Sequence, residues 1–225
     1  MSVTPVLLWG DDRLAVYNKP HGVVVYSTSG GAGVLDAIRD ARGGGTVHAA
    51  HRLDAPVAGA LMVAFDAEAA AATSRMFASG EVEKTYLAAC QGVPAWERRT
   101  VDAPLAQRGH RAHVVPPGAA DGKPAETELS VRGTSSDACL VQAHPRTGRF
   151  HQVRAHLSHV GHPILGDREY GGPRAACLAL HCAALRFRHP FTGASLTVRA
   201  PLQPQMERVL LRARLTLPPT ENAAS

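Results

Sequence analysis

The stretch from residue 61 to residue 90 leaves this chain the least freedom. Residues 61–65 form an unbroken apolar run, Asp66 follows as an N-cap candidate, residues 67–79 are strong helix formers, and Gly80 supplies the stop. The period then changes. From Val82 to Cys90 the residues alternate, with Val82, Lys84, Tyr86, Ala88 and Cys90 on one side and Glu83, Thr85, Leu87 and Ala89 on the other. A buried strand therefore feeds a helix, and the helix returns into a two-faced strand on which Lys84 and Tyr86 share a face.

Around this core the punctuation predicts short strands at residues 6–9 and 14–17, separated by the acidic turn Gly10-Asp11-Asp12, and an extended run at 23–26 beyond Asn18-Lys19-Pro20. Residues 33–42 carry Val34, Leu35 and Ile38 at helical spacing, and Gly43-Gly44-Gly45 ends that helix as a flexible joint. Residues 94–123 have weak periodicity and read as an excursion over the surface. A hairpin is expected from 127–132 and 138–143, further strands at 179–187 and 196–199, and a closing helix over 204–214. Strands outnumber helices without a strand–helix–strand rhythm, which predicts an α+β fold with a mixed, mostly antiparallel sheet flanked by helices and loops. One domain over 1–217 and a flexible tail over 218–225 complete the expected organisation.

Charge narrows the class of partner. The formal excess of +5 lies in the last third, where residues 131–225 hold 12 basic and five acidic groups. Such a block suggests a polyanion, with RNA favoured over a membrane because no amphipathic anchor is evident. Solvated arginines used for solubility would give the same count. No apolar run is long enough to span a membrane and the first ten residues lack the regions of a secretory signal, so the chain reads as cytoplasmic. Its four cysteines, Cys90, Cys139, Cys177 and Cys182, have no metal-type spacing and are expected as reduced, packed thiols.

Three polar clusters could carry chemistry. His51-Arg52-Leu53-Asp54 precedes the buried strand, and a carboxylate on a segment stiffened by Pro56 is well held to act as nucleophile or base. An aspartate there could equally cap a turn. Lys84-Thr85-Tyr86 offers a ring on which a nucleobase can stack and a hydroxyl able to relay a proton. In the third cluster, residues 146–157, Phe150, Val153, Leu157 and Val160 make an apolar stripe with Arg154 at its margin. Arg154 could then reach inward to a carboxylate, while Arg146 and Arg149, at the start of the helix, would take phosphates. His151, His156, His159 and His162 invite a metal reading, but they lack the HExxH pattern and no Asp or Glu lies between residues 138 and 166. No metal is expected.

Taken together, these segments resemble the RluA-type RNA pseudouridine synthases, over roughly residues 11 to 200. Residues 12–22 look like the family's entry strand ending in Asn-Lys-Pro-x-Gly, and His51 to Asp54 matches its His-Arg-Leu-Asp signature. Lys84-Thr85-Tyr86 and residues 147–157 with 161–167 match two further motifs, in the right order. The resemblance implies isomerisation of uridine to pseudouridine in rRNA or tRNA, without a cofactor. It makes Asp54 the catalytic carboxylate, Arg154 its partner, and Tyr86 the ring under the uracil. Arg52 would fill the space vacated by a flipped-out uridine. His51, Lys84, Arg146, Arg149, His151 and Gln152 are the further expected RNA contacts.

Two features depart from the family. Val57-Ala58 stands where it usually has Thr-Ser, removing two hydroxyls, and Phe150 replaces a commonly polar residue. The chain also leaves no room for the small N-terminal RNA-binding domain of some relatives, and a monomer is the plainer expectation. The rival readings are a catalytically silent RNA-binding module or chaperone of the same fold, and a metal-dependent hydrolase built on the histidines.

Overall fold

A computed structural model describes residues 5–27 and 33–217. Along the chain lie β1 (Val6–Gly10), β2 (Leu14–Lys19), α1 (Val34–Ala41), β3 (His48–Ala49), β4 (Ala58–Ala64), α2 (Ala67–Ser79) and β5 (Glu83–Gln91). There follow β6 (Arg98–Asp102), β7 (Leu105–Arg108), β8 (Arg111–Val114), β9 (Glu126–Thr134), β10 (Ala138–Pro145), α3 (Gln152–His159), a 3-10 turn (Arg168–Tyr170), β11 (Leu180–Arg188), β12 (Ser195–Arg199) and α4 (Pro204–Arg212). The expected tail over 218–225 lies outside the described residues.

The backbone forms two compact units, one from Met1–Thr85 with His181–Gln203 and the other from Tyr86–Leu180 with Pro204–Ser225. In the first, β4 is buried along its whole length, which its continuous apolar sequence requires. It runs antiparallel to β2, from Leu14 opposite Ala64 to Lys19 opposite Gly59, and parallel to β11 at Ala58 and Gly59. Gly59 makes that parallel contact feasible. Its φ is +114°, and a β-carbon there would lie 2.2 Å from the carbonyl oxygen of Cys182. α2 begins and ends where its caps predict: the Asp66 carboxylate accepts the N–H of Ala69 at 2.8 Å, and Gly80 turns left-handed. Arg13 binds the same carboxylate side-on and also reaches Glu68, holding Asp66 well below the usual carboxylate range.

In the second unit β10 is flanked antiparallel by β5 and β9, with β6 outside β9. β7 and β8 form a separate hairpin, whose Leu105 and Ala112 pack with Ala125, Ala155 and Tyr170. Only β4 and β11 run parallel among the strand pairings within the units, so the α+β fold with a mostly antiparallel sheet is what the chain adopts.

Three local expectations change. Residues 94–123 are not a structureless excursion but hold β6, β7 and β8, strands of four or five residues whose outward polar side chains hide the alternation. Residues 23–26 are not a strand; the carbonyls of Val24 and Val25 instead accept the N–H groups of Val34 and Leu35 at the start of α1. α3 starts at Gln152, which leaves Arg146 and Arg149 in the loop before it. The break is at His151, whose φ of +51° is left-handed and ends regular helix there.

Candidate active site

The signature His51 to Asp54 belongs to the first unit and leads into β4. Its side chains alternate in fate: His51 is half-buried, Arg52 exposed, Leu53 buried and Asp54 half-buried. The Nε2 atom of His51 accepts the N–H of Met62 at 3.0 Å, and its ring stacks on Phe77 at 4.3 Å. The ring is therefore neutral, with its proton on Nδ1. Burial, reinforced by the charge of Lys84, pushes its pKa down to about 3. Lys84 is itself buried, which lowers its pKa against the opposing pull of the Cys182 thiol.

Asp54 opens a turn, Ala55 to Val57, in which no side chain can make a hydrogen bond. Its backbone is held from residues 19–22 instead. The Lys19 ammonium is fully buried and donates to the carbonyls of Val23 at 2.7 Å, Pro20 at 3.0 Å and Ala55 at 3.1 Å. Those are all the donors an ammonium has. The Gly22 N–H also donates to Ala55, at 2.8 Å, and the Val57 N–H closes back onto the Asp54 carbonyl at 2.9 Å. Burial draws the Lys19 pKa down to about 8, opposed by the negative charge of Asp54. The Asn-Lys-Pro pattern drew attention to Lys19, but its job was hidden because it binds carbonyls, which leave no mark on a sequence.

The second unit holds Tyr86, Arg146, Arg149, His151, Gln152 and Arg154. Tyr86 lies on β5 opposite Ala143 and is half-buried. Arg154 is 4% exposed and grips Asp167, 2% exposed, with Nε and Nη2 both at 2.7 Å. Its Nη2 also meets Glu169. Burial pulls the guanidinium pKa down, but the bonds to Asp167 and Glu169 outweigh this and hold it above the ordinary arginine value. Its Nη1 donates to Nε2 of His151 at 2.8 Å, which fixes the neutral ring with its proton on Nδ1. That atom is 3.1 Å from the Tyr170 hydroxyl, which accepts the N–H of Ala112 in the β7–β8 hairpin at 2.7 Å. The strained His151 backbone, worth about 1–3 kcal/mol, is thus held on both ring nitrogens and by stacking on Phe150 at 3.8 Å.

The other expected RNA contacts have partners of their own. Gln152 is buried, its amide oxygen accepting from Thr147 and the Arg149 N–H and its amide nitrogen donating to the Glu126 carbonyl and Thr127. It shapes the loop that carries Arg149. Arg146 is ion-paired side-on with Glu128 at 2.8 and 2.9 Å, and the Arg149 Nε donates to the Pro124 carbonyl at 2.9 Å. The histidines diverge: His156 bonds Thr127 and the Ala103 carbonyl, and His162 the Gln91 carbonyl. Among the described residues no group of three or more His, Cys, Asp or Glu could hold a metal, and no helix is long and apolar enough to cross a membrane.

Residues 13–159 match the family model described as RNA pseudouridylate synthase. The ribosomal large subunit pseudouridine synthase C of Yersinia pestis is 37% identical over 223 residues, 92% of this chain and 69% of that protein. Its counterpart in Escherichia coli (strain K12) is 34% identical over 230 residues, 95% of this chain and 71% of that protein. Two solved human structures, RNA pseudouridylate synthase domain containing 4 and domain containing 1, align with TM-scores of 0.81 and 0.75 at 26% and 25% identity. They match 95% and 97% of this chain, and 94% and 98% of their own.

Proposed function

We propose that this chain, which belongs to the RNA pseudouridylate synthase family, isomerises uridine in large-subunit ribosomal RNA with Asp54 as the catalytic carboxylate. The observation that carries the assignment is the hold on the Asp54 turn, where the buried Lys19 ammonium and the Gly22 N–H fix a backbone that has no polar side chain of its own. The rRNA substrate rests on the names of the relatives.

The reaction is an isomerisation. The bond from N1 to C1′ breaks, the uracil turns, C5 joins C1′, and the hydrogen on C5 leaves as N1 gains one. A carboxylate can start this by attacking C1′ or by removing the proton from C2′, and either route needs it ionised and fixed in place. By the family's pattern, Tyr86 is assigned to stack under the uracil and help remove the C5 proton, and Arg154 to pair with the catalytic carboxylate. The target atoms of a stacked uridine are out of reach, so the nucleotide is flipped at a cost of a few kcal/mol, with Arg52 assigned to the vacated space. Arg146, Arg149 and the other exposed basic groups of the last third supply phosphate contacts, making affinity salt-dependent.

The test uses unmodified large-subunit rRNA and tRNA transcripts with tritium at uracil C5. Wild-type protein should release tritium to water from rRNA, and Asp54→Ala should bind the RNA without release. Release by Asp54→Ala would overturn the carboxylate assignment. Release from tRNA alone would overturn the substrate, and no release from either by folded, RNA-binding protein would favour the silent binding module.

A further inference from the structure

The residue between the proline and glycine of Asn-Lys-Pro-x-Gly is His21, and no step above uses it. Its Nδ1 lies 2.9 Å from the carbonyl oxygen of Pro56, two residues after Asp54. A carbonyl oxygen only accepts, so Nδ1 carries the proton and donates. Nε2 is shielded from solvent and has no protein partner among the described residues, so a second proton there would be buried without an acceptor. Burial, with the Lys19 charge adding to it, accordingly keeps the pKa of this histidine below its ordinary value, and the ring is neutral. The backbone of His21 is fixed as well: its N–H donates to Oε1 of Gln203 at 3.2 Å, and Nε2 of Gln203 donates to the Lys19 carbonyl at 3.0 Å. The imidazole therefore stands on an anchored base and bonds the Asp54 turn at a carbonyl that Lys19 does not reach.

We infer that His21 is a positioning residue: its Nδ1–H, bonded to the Pro56 carbonyl, sets the attitude of the turn that carries Asp54. This rests on the reading of Asp54 as the catalytic carboxylate. Lys19 and Gly22 both hold the Ala55 carbonyl, so two of the three donors that residues 19–22 supply act at one peptide. The Val57 N–H bond to the Asp54 carbonyl lies within the turn and moves with it, so ahead of β4 at Ala58 a turn held from outside only at Ala55 can pivot there. The bond to Pro56 is the second point, and Val57 and Ala58 offer no side-chain donor or acceptor to replace it. A misplacement of the reacting group of about 1 Å is enough to slow an enzyme by up to about a hundredfold.

Asparagine and glutamine separate donor geometry from bulk, because the amide nitrogen of Asn can stand near the place of Nδ1 while that of Gln reaches further. The experiment compares His21→Leu, His21→Asn and His21→Gln with wild type. It reads single-turnover tritium release at saturating enzyme, RNA affinity by filter binding, and amide hydrogen exchange of Val57 and Gly22. His21→Leu should lower the single-turnover rate at least about tenfold with RNA affinity within about twofold, and speed exchange at Val57. His21→Asn should restore most of both, and His21→Gln neither. Wild-type rate and exchange in His21→Leu, or equal behaviour of the Asn and Gln variants, would overturn the inference. If Asp54→Ala proves active while exchange still follows the donor, the catalytic reading has failed and the hold on the turn stands.

Discussion

Removing the carboxylate of Asp167 takes from the buried Arg154 cation the partner it binds with two nitrogens, and the size of the effect follows from its surroundings. Arg154 and Asp167 are both almost wholly shielded, and two bonds of 2.7 Å join them. Breaking a buried pair from one side costs about 3–5 kcal/mol, because the remaining charge keeps its desolvation penalty and loses its compensation. Glu169 still touches the guanidinium, but at 43% side-chain exposure it is screened by water, so Asp167→Ala should fall at the lower end, about 3 kcal/mol. For a chain of this size that is a fall in Tm of about 6–12 °C. Trp96 lies in the same unit, and its fluorescence in a Trp9→Phe background follows the urea transition there. Arg154→Met in the same chain removes the undercompensated charge and gives up the charge-assisted hydrogen bond to His151, worth about 1.5–3 kcal/mol. The double variant should therefore be no less stable than Asp167→Ala alone and well short of the sum of the singles, with a coupling of at least about 2 kcal/mol. A loss below about 1 kcal/mol for Asp167→Ala, or a double variant equal to the sum of the singles, would refute the reasoning.

Stability should fall with acid before the carboxylates titrate. His51 and His181 have folded pKa values pushed down by burial to about 3 and about 4, so their contribution is complete above the ordinary histidine pKa and is lost as pH falls below it. Each contributes a slope of up to about 1.4 kcal/mol per pH unit, and urea unfolding that is unchanged from pH 7 to pH 5 would contradict it. Gly59→Ala should yield no folded protein, since its β-carbon would meet the Cys182 backbone, whereas Gly43→Ala, also left-handed but facing open space, should cost about 1 kcal/mol by thermal melting. A folded, wild-type-like Gly59→Ala would show that β4 and β11 can part at that point.

Much of the fold was legible in the sequence where composition and punctuation agreed. α2 occupies the residues its caps announced, because Asp66 and Gly80 act through local bonds that sequence spacing encodes. The strands of residues 94–123 were not legible, since β6 and β7 carry Arg98, Arg99, Gln107 and Arg108 outward and pair through their backbones. In the site, the spacing of Arg154 on a helix margin led to the expectation of a half-buried guanidinium paired with Asp54, and the carboxylates it binds within its own unit are Asp167 and Glu169. Asp167 could not be found that way, because 13 residues separate it from Arg154 and a tight turn returns the chain. Lys19 and His21 were hidden for a different reason: their partners are main-chain carbonyls, which every residue type supplies.

That last property also bears on how the chain can change over generations. A loop fixed through side-chain hydroxyls ties its shape to the identity of those residues, so each replacement there must be matched by another. The turn after Asp54 is gripped by its carbonyls, and mutation cannot delete a carbonyl. Ala55 is half-buried and Pro56 exposed, so their side chains are free to drift while the grip persists. Val57 and Ala58 are buried and limited by volume alone. Substitutions at residues 55–58 should therefore disturb this loop less than substitutions at residues 19–22, which supply the donors that grip it.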